Sequence, residues 1–159
     1  MLETGILVQD AAYMVTVPYF CPDVPALKKN PVFMFFPDRF QKPNPFQADV
    51  VVSIDPIIEQ KLKALEVIES QFYEGGANGS AELLPDDPDK KAERRRQIRE
   101  NFAIRNRTLA VRFRDQLAQW YGSETAAKIE FVEAFEVCEY GRQPNKEELR
   151  RLFPFLPAH

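Results

Sequence analysis

Between Pro18 and Phe46 the chain carries seven prolines, at positions 18, 22, 25, 31, 37, 43 and 45, and six phenylalanines. Proline fixes φ and has no N–H to donate, so no helix can run through this stretch. Helices must therefore lie before Pro18 or after Phe46, and one segment in between reads as a strand. Val32-Phe-Met-Phe-Phe36, bounded by Pro31 and Pro37, is a continuous apolar run with the pattern of a strand buried on both faces.

The remaining segments read more plainly. Leu7, Val8, Ala11, Ala12 and Val15 recur at helical spacing and predict a short buried helix. Asp49-Val-Val-Val-Ser-Ile54 predicts a second buried strand, and Asp55-Pro56 after it is a helix-opening signature, a capping carboxylate followed by proline at the first helical position. That helix is expected to reach about Phe72, with Ile58, Leu62, Leu65 and Phe72 on one face. Tyr73 to Pro85 is a glycine-containing loop. Asp87-Pro88 repeats the cap signature and opens a polar helical segment ending at Tyr121-Gly122. Unbroken, residues 88–121 would span about 51 Å, against a diameter near 40 Å for a compact domain of this size, roughly. Either the helix breaks, around residues 101–106, or it packs on more protein than this chain contains. Lys128 to Tyr140 alternates as a strand, and Asn145 with Glu148 has the spacing of a capping box for a last short helix.

Strand, turn and capped helix in that order predict an α/β layer architecture, with few strands and flanking helices. At 159 residues, 45% of them hydrophobic, one domain spanning 1–159 has room for a real core.

The histidine count excludes much chemistry. The chain has one histidine, the terminal His159, and two cysteines, Cys21 and Cys138. Ser-His-Asp and Cys-His arrangements need an ordered histidine, and zinc sites draw on several His or Cys ligands. No catalytic residue and no metal ligand is assigned. Two isolated cysteines predict a reducing compartment, the cytoplasm. No apolar run reaches the roughly 18 residues of a membrane span.

Four segments hold candidate chemistry. Pro88 to Tyr121 has ten Lys or Arg and four acidic residues, giving +6 against −9 on the rest of the chain. Its aromatics lie on the apolar stripe and are not interleaved with the arginines, which favours a solvated, ion-paired face over nucleic-acid binding. Gly75-Gly-Ala-Asn-Gly79 lacks phosphate-loop spacing. Asp86, Asp87 and Asp89 could hold a hard cation, but Asp87 already has a capping role. The most pointed segment runs from Glu133 to Pro144. A strand ending in Tyr140-Gly141-Arg142 presents a phenol and a guanidinium where α/β folds commonly place their sites. Arg142 either clamps an anionic or hydroxylated ligand or pairs with a nearby carboxylate. Tyr140, Arg142 and Glu133 are the substrate-binding candidates, and Cys138 reads as a small buried residue.

Several of these segments together resemble one family. They are Asp49-Val-Val-Val-Ser-Ile-Asp55, the helix with Lys61-x-x-Ala64-Leu65 closing on Glu69-Ser-Gln-Phe72, and Val132-Glu-Ala-Phe-Glu-Val137. In this order they resemble the PIG-L (LmbE-like) deacetylases. Thr4 to Tyr13, and Glu139 to Pro144 with Leu149 to Pro154, extend the resemblance over nearly the whole chain. The resemblance implies a Rossmann-like layered fold and zinc-dependent hydrolysis of an N-acetyl amide on an amino-sugar conjugate. The family holds its zinc through a His-Pro-Asp-Asp-type and a His-Pro-Asp-His-type motif, with a neighbouring Asp as base. Neither motif is present, and Ser53 stands where many members have an acidic residue. The expectation is thus the C-terminal portion of such an enzyme, its N-terminal catalytic half absent, inactive alone and prone to oligomerise or depend on the missing half. The alternative is a non-catalytic subunit or sugar-binding module around Tyr140 and Arg142 that needs a partner half.

Overall fold

The structure, a computed structural model, describes residues 2–74 and 83–157. The glycine loop at 75–80 and His159 lie outside the described residues. Within them are seven α-helices and three strands, a mixed α/β fold. In chain order the elements are α1 (Leu2–Met14), β1 (Met34–Phe35), β2 (Val50–Ser53), α2 (Ile58–Glu66), α3 (Glu69–Phe72), α4 (Pro88–Arg112), α5 (Arg114–Tyr121), α6 (Ser123–Lys128), β3 (Val132–Val137) and α7 (Lys146–Leu152).

The strands form one sheet in the order β1-β3-β2. β1 pairs antiparallel with β3, Met34 opposite Val137 and Phe35 opposite Glu136. On the other side Asp49 N–H donates to Phe135 O and Ile54 N–H to Phe131 O, both at 2.9 Å. Those two bonds run in opposite senses along the chain, so β2 is antiparallel to β3 as well. Aspartates close both ends of this pair. Asp49 Oδ2 accepts from Val137 N–H at 2.7 Å, and Asp55 Oδ1 accepts from Phe131 N–H at 2.6 Å.

The chain divides into two compact units, Met1–Val50 with Ala134–His159, and Val51–Glu133. In the first, Ala12, Phe46, Val50, Ala134, Cys138, Leu149 and Leu156 are buried. The expected capping box opens α7: Asn145 Oδ1 accepts from Glu148 N–H at 2.9 Å, and Glu148 Oε2 accepts from Asn145 N–H at 3.2 Å. In the second unit Leu117, Trp120, Phe113, Val51, Leu62 and Val132 are among the buried residues. Asp87 caps α4 as expected, accepting from Asp89 and Lys90 N–H, with Pro88 opening the helix. Arg114 ties α5 to the end of α6 through the carbonyls of Ala126 and Ile129.

Several expectations are corrected. The helix at the start of the chain forms but is not buried. Leu7 is 66% exposed and Val8 50%, and of the predicted stripe Ala12 alone is in the core, because the apolar residues are spread around the helix. Val32–Phe36 is not a strand buried on both faces. It pairs as two residues at the sheet edge, flanked by prolines that cannot donate, and leaves Phe36 68% exposed. Asp55 does not cap the next helix; a short 3-10 turn occupies Asp55–Ile57 and the carboxylate reaches Phe131 instead. The helix expected to run to Phe72 breaks at Val67-Ile68, although Leu62 is buried and Ile58, Leu65 and Phe72 are half-buried, as their shared face requires.

The long helix does break, but at Phe113. Residues 101–106 stay helical, with Asn106 Nδ2 donating to Phe102 O one turn back at 2.8 Å, a local bond that leaves the backbone ladder intact. β3 begins at Val132, not Lys128, because Gly122 (φ 76°) turns the chain directly into α6. Among the described residues no helix is long and apolar enough to cross a membrane.

Candidate functional site

The end of β3 is held in place by backbone bonds to the segment before β1. Cys138 N–H donates to Phe33 O and Arg142 N–H to Pro31 O, both at 2.9 Å. The side-chain amide of Gln143 folds back over the turn, donating to Cys138 O at 2.9 Å and Gly141 O at 3.1 Å. Gly141 has no room for a side chain, since a Cβ there would lie 2.9 Å from Pro31 O. This turn fixes where Tyr140 and Arg142 point, and it sends them to different places.

Tyr140, half-exposed, lines a cavity of about 490 Å³ in the first unit. Its acidic wall is Asp38, Glu136 and Glu139. Phe35, Phe36 and Phe46 supply aromatic surface beside Tyr140, and among the described residues that line it none is basic. Two of the carboxylates are oriented by backbone donors. Gln47 N–H donates to Glu136 Oε2 at 2.9 Å and Phe40 N–H to Asp38 Oδ1 at 3.0 Å. A neighbouring cavity of about 390 Å³ is apolar, walled by Val8, Ala12, Phe33, Met34 and Cys138. Cys138 is buried, as its reading as a packing residue requires.

Arg142 does not line either cavity. Its guanidinium pairs with Glu148, the residue that completes the cap of α7, so of its two readings the pairing with a nearby carboxylate is realised. The Asn145 backbone donor, and secondarily the Arg142 charge, hold the Glu148 carboxyl below the ordinary glutamate range despite some desolvation. Glu133 belongs to the second unit. There it pairs with Lys61 at 2.8 Å, and Lys61 also reaches Asn106 Oδ1 at 3.4 Å and lies over the Phe102 ring. Of the three candidates Tyr140 alone lines one of these two cavities.

Asp38, Glu136 and Glu139 are not among the residues the sequence singles out. Glu136 and Glu139 sit within the Glu133–Pro144 segment, where their spacing around the end of a strand is a usable signal. Asp38 carries none, because its place depends on how β1 pairs.

The basic face of α4 is largely ion-paired. Arg95 meets Glu69 at 2.7 Å, Arg99 meets Glu59 at 2.7 Å and also Glu66, and Arg107 meets Glu130 at 3.2 Å. Inside this network burial, followed by its hydrogen bond to Glu66, pushes the Tyr73 phenol up to about 12. The Glu66 carboxyl, bonded by Arg99, is held below its ordinary value. Such a network shifts pKa values for structural reasons and needs no ligand. Asp86, Asp87 and Asp89 form no metal cage: among the described residues no group of three His, Cys, Asp or Glu side chains is placed to hold a metal ion.

No protein-family model, curated protein or solved structure matches the chain.

Proposed function

We propose that residues 1–159 are the non-catalytic portion of a PIG-L-type (LmbE-like) N-acetyl deacetylase, the C-terminal part of a Rossmann-like layered fold acting on an amino-sugar conjugate. The observation that carries this reading is how the resembling segments meet. The Asp49–Asp55 segment lies beside Val132–Val137, with an aspartate bonding each end of the pair. Lys61, from the helix that comes next in the resemblance, pairs with Glu133 of that same strand. Contact between segments up to 88 residues apart supports reading the resembling pieces as parts of one fold.

The residues present do not fit the family's zinc. They include one histidine, and among the described residues no three ligating side chains converge. The chain's own contribution is therefore scaffold and ligand surface, with zinc chemistry belonging to motifs it does not carry. A second reading, a binding module completed by a partner half, draws on the cavity at Tyr140.

Two measurements test the proposal. The purified chain is expected to take up no stoichiometric zinc and to release no acetate from N-acetylglucosamine conjugates; uptake with hydrolysis overturns it. Codons for a His-Pro-Asp-His-type motif are expected in the DNA just upstream of Met1, in frame or one shift away. Their absence in every frame, with no separately encoded catalytic half co-purifying from the native cell, also overturns it.

A further inference from the structure

We propose that the cavity at the end of β3 binds a small organic cation, an alkylammonium head group. All the residues that build it belong to the first unit, and the inference does not rest on the deacetylase reading.

Charge comes first. Six glutamates elsewhere in the chain, Glu59, Glu66, Glu69, Glu93, Glu130 and Glu148, each meet an arginine. Among the described residues no lysine or arginine pairs with Glu136 or Glu139. They face the same cavity as Asp38, and none of the residues lining it is basic. An anion is repelled from such a space and a cation is drawn into it.

Shape and surface then narrow the cation. The cavity measures about 490 Å³, and no group of three carboxylates among the described residues is placed to hold a metal ion. A bare ion would keep most of its water there, whereas a volume in the range of roughly 300–1,000 Å³ suits a small molecule. Phe35, Phe36, Phe46 and Tyr140 add aromatic surface, whose ring faces attract cations and whose area welcomes methyl groups. A substituted ammonium, with charge spread over a methylated surface, matches carboxylates and rings together. A purely apolar ligand finds a better match in the neighbouring cavity behind Val8, Phe33 and Met34.

The test titrates the whole chain, by calorimetry or NMR at fixed ionic strength, with choline and with 3,3-dimethyl-1-butanol, its uncharged isostere. Saturable choline binding is expected, with the alcohol about tenfold weaker or worse. Glu139→Gln, at an exposed side chain, is expected to weaken choline binding several-fold without moving the thermal transition. Glu136→Gln keeps an oxygen for Gln47 N–H and is expected to act in the same direction, as is Tyr140→Leu. Equal affinity for the two probes, non-saturable choline uptake, or unchanged affinity in the folded E136Q/E139Q double variant overturns the proposal.

Discussion

Asp55 and Phe131 are 76 residues apart in sequence, yet the aspartate Oδ1 accepts the phenylalanine N–H at 2.6 Å. Both carboxylate oxygens also lie 3.2 Å from the Glu130 nitrogen. At the other end of the strand pair Asp49 accepts from Val137 in a more exposed setting. Charge-assisted bonds to backbone donors are among the stronger hydrogen bonds, and removing the acceptor strands the donor as well. Asp55→Ala is therefore expected to cost about 2–3 kcal/mol in urea unfolding. Asp55→Asn, which keeps one oxygen, should cost about half of that, and Asp49→Ala about 1 kcal/mol. Equal losses for D55A and D49A would show that burial at the Asp55 end contributes nothing.

Asp55 also marks the limit of what sequence reading delivers. Asp55-Pro56 and Asp87-Pro88 carry the same signature, yet only Asp87 caps its helix. Capping is a contest between a donor two or three residues away and any donor that tertiary structure brings closer, and only the first is visible locally. Asn145 with Glu148 is legible for the same reason that Asp87 is, because both partners lie within one turn. The cavity is half legible. Glu136, Glu139 and Tyr140 lie in the Glu133–Pro144 segment, but Phe35, Phe36 and Asp38 join them through an edge pairing that an apolar run alone does not disclose. Arg142 shows the converse, a residue whose chemistry suggests a ligand and whose partner carboxylate, Glu148, is six positions away.

Tyr121 bonds to the end of β2: Ser53 N–H donates to its Oη at 2.9 Å. Phenylalanine fills the same volume but accepts nothing, so the strand's last donor would be left in a partly buried place. Tyr121→Phe is expected to cost about 1–2 kcal/mol by thermal or urea unfolding. A neutral result would mean that water replaces the hydroxyl at no cost.

Tyr73 gives the chain an alkaline dependence. Its phenol is pushed from the ordinary 10.0 up to about 12 in the folded state, chiefly by burial. Between those two values the unfolded chain has lost the proton and the folded chain keeps it. Stability from this group is thus complete below pH 10 and is lost as pH rises toward 12. Comparing unfolding free energies of wild type and Tyr73→Phe over that window should show a steeper fall in the wild type. Parallel curves would place the group in water.

Glu148 acts in the opposite direction. Its carboxyl is held below the ordinary 4.5 by the Asn145 backbone donor first, with the Arg142 charge adding to it. As acid is added the unfolded chain protonates before the folded one does. The contribution of Glu148 is therefore complete above the ordinary value and is lost as pH falls through the lower, folded one. Wild type should lose stability more steeply than Glu148→Gln below about pH 4.5, where the lowered carboxyl begins to matter. Identical acid limbs would argue that the cap and the arginine pair do not persist in solution.

Gly141 sits where the turn after β3 meets the segment before β1. A Cβ at this position would stand 2.9 Å from both Pro31 O and Phe33 Cδ2, and 3.2 Å from Phe33 N. Phe33 Cδ2 belongs to a side chain, whereas Pro31 O is backbone and already accepts the Arg142 N–H. Alanine must then push two backbone segments apart, and forced overpacking of this kind costs about 1–3 kcal/mol. Gly5, in α1, supplies the control, with nothing within 4 Å of its would-be Cβ. There alanine is expected to stabilise by roughly 0.5–1 kcal/mol through helix propensity. Because Tyr140 precedes the displaced residue, Gly141→Ala should also weaken choline binding, while Gly5→Ala leaves it unchanged. Thermal unfolding and choline titration of the two variants separate a local steric effect from a general response to an added methyl group. If Gly141→Ala melts with wild type, the close approach at Pro31 is not maintained in solution, and the cavity beside Tyr140 loses its fixed wall.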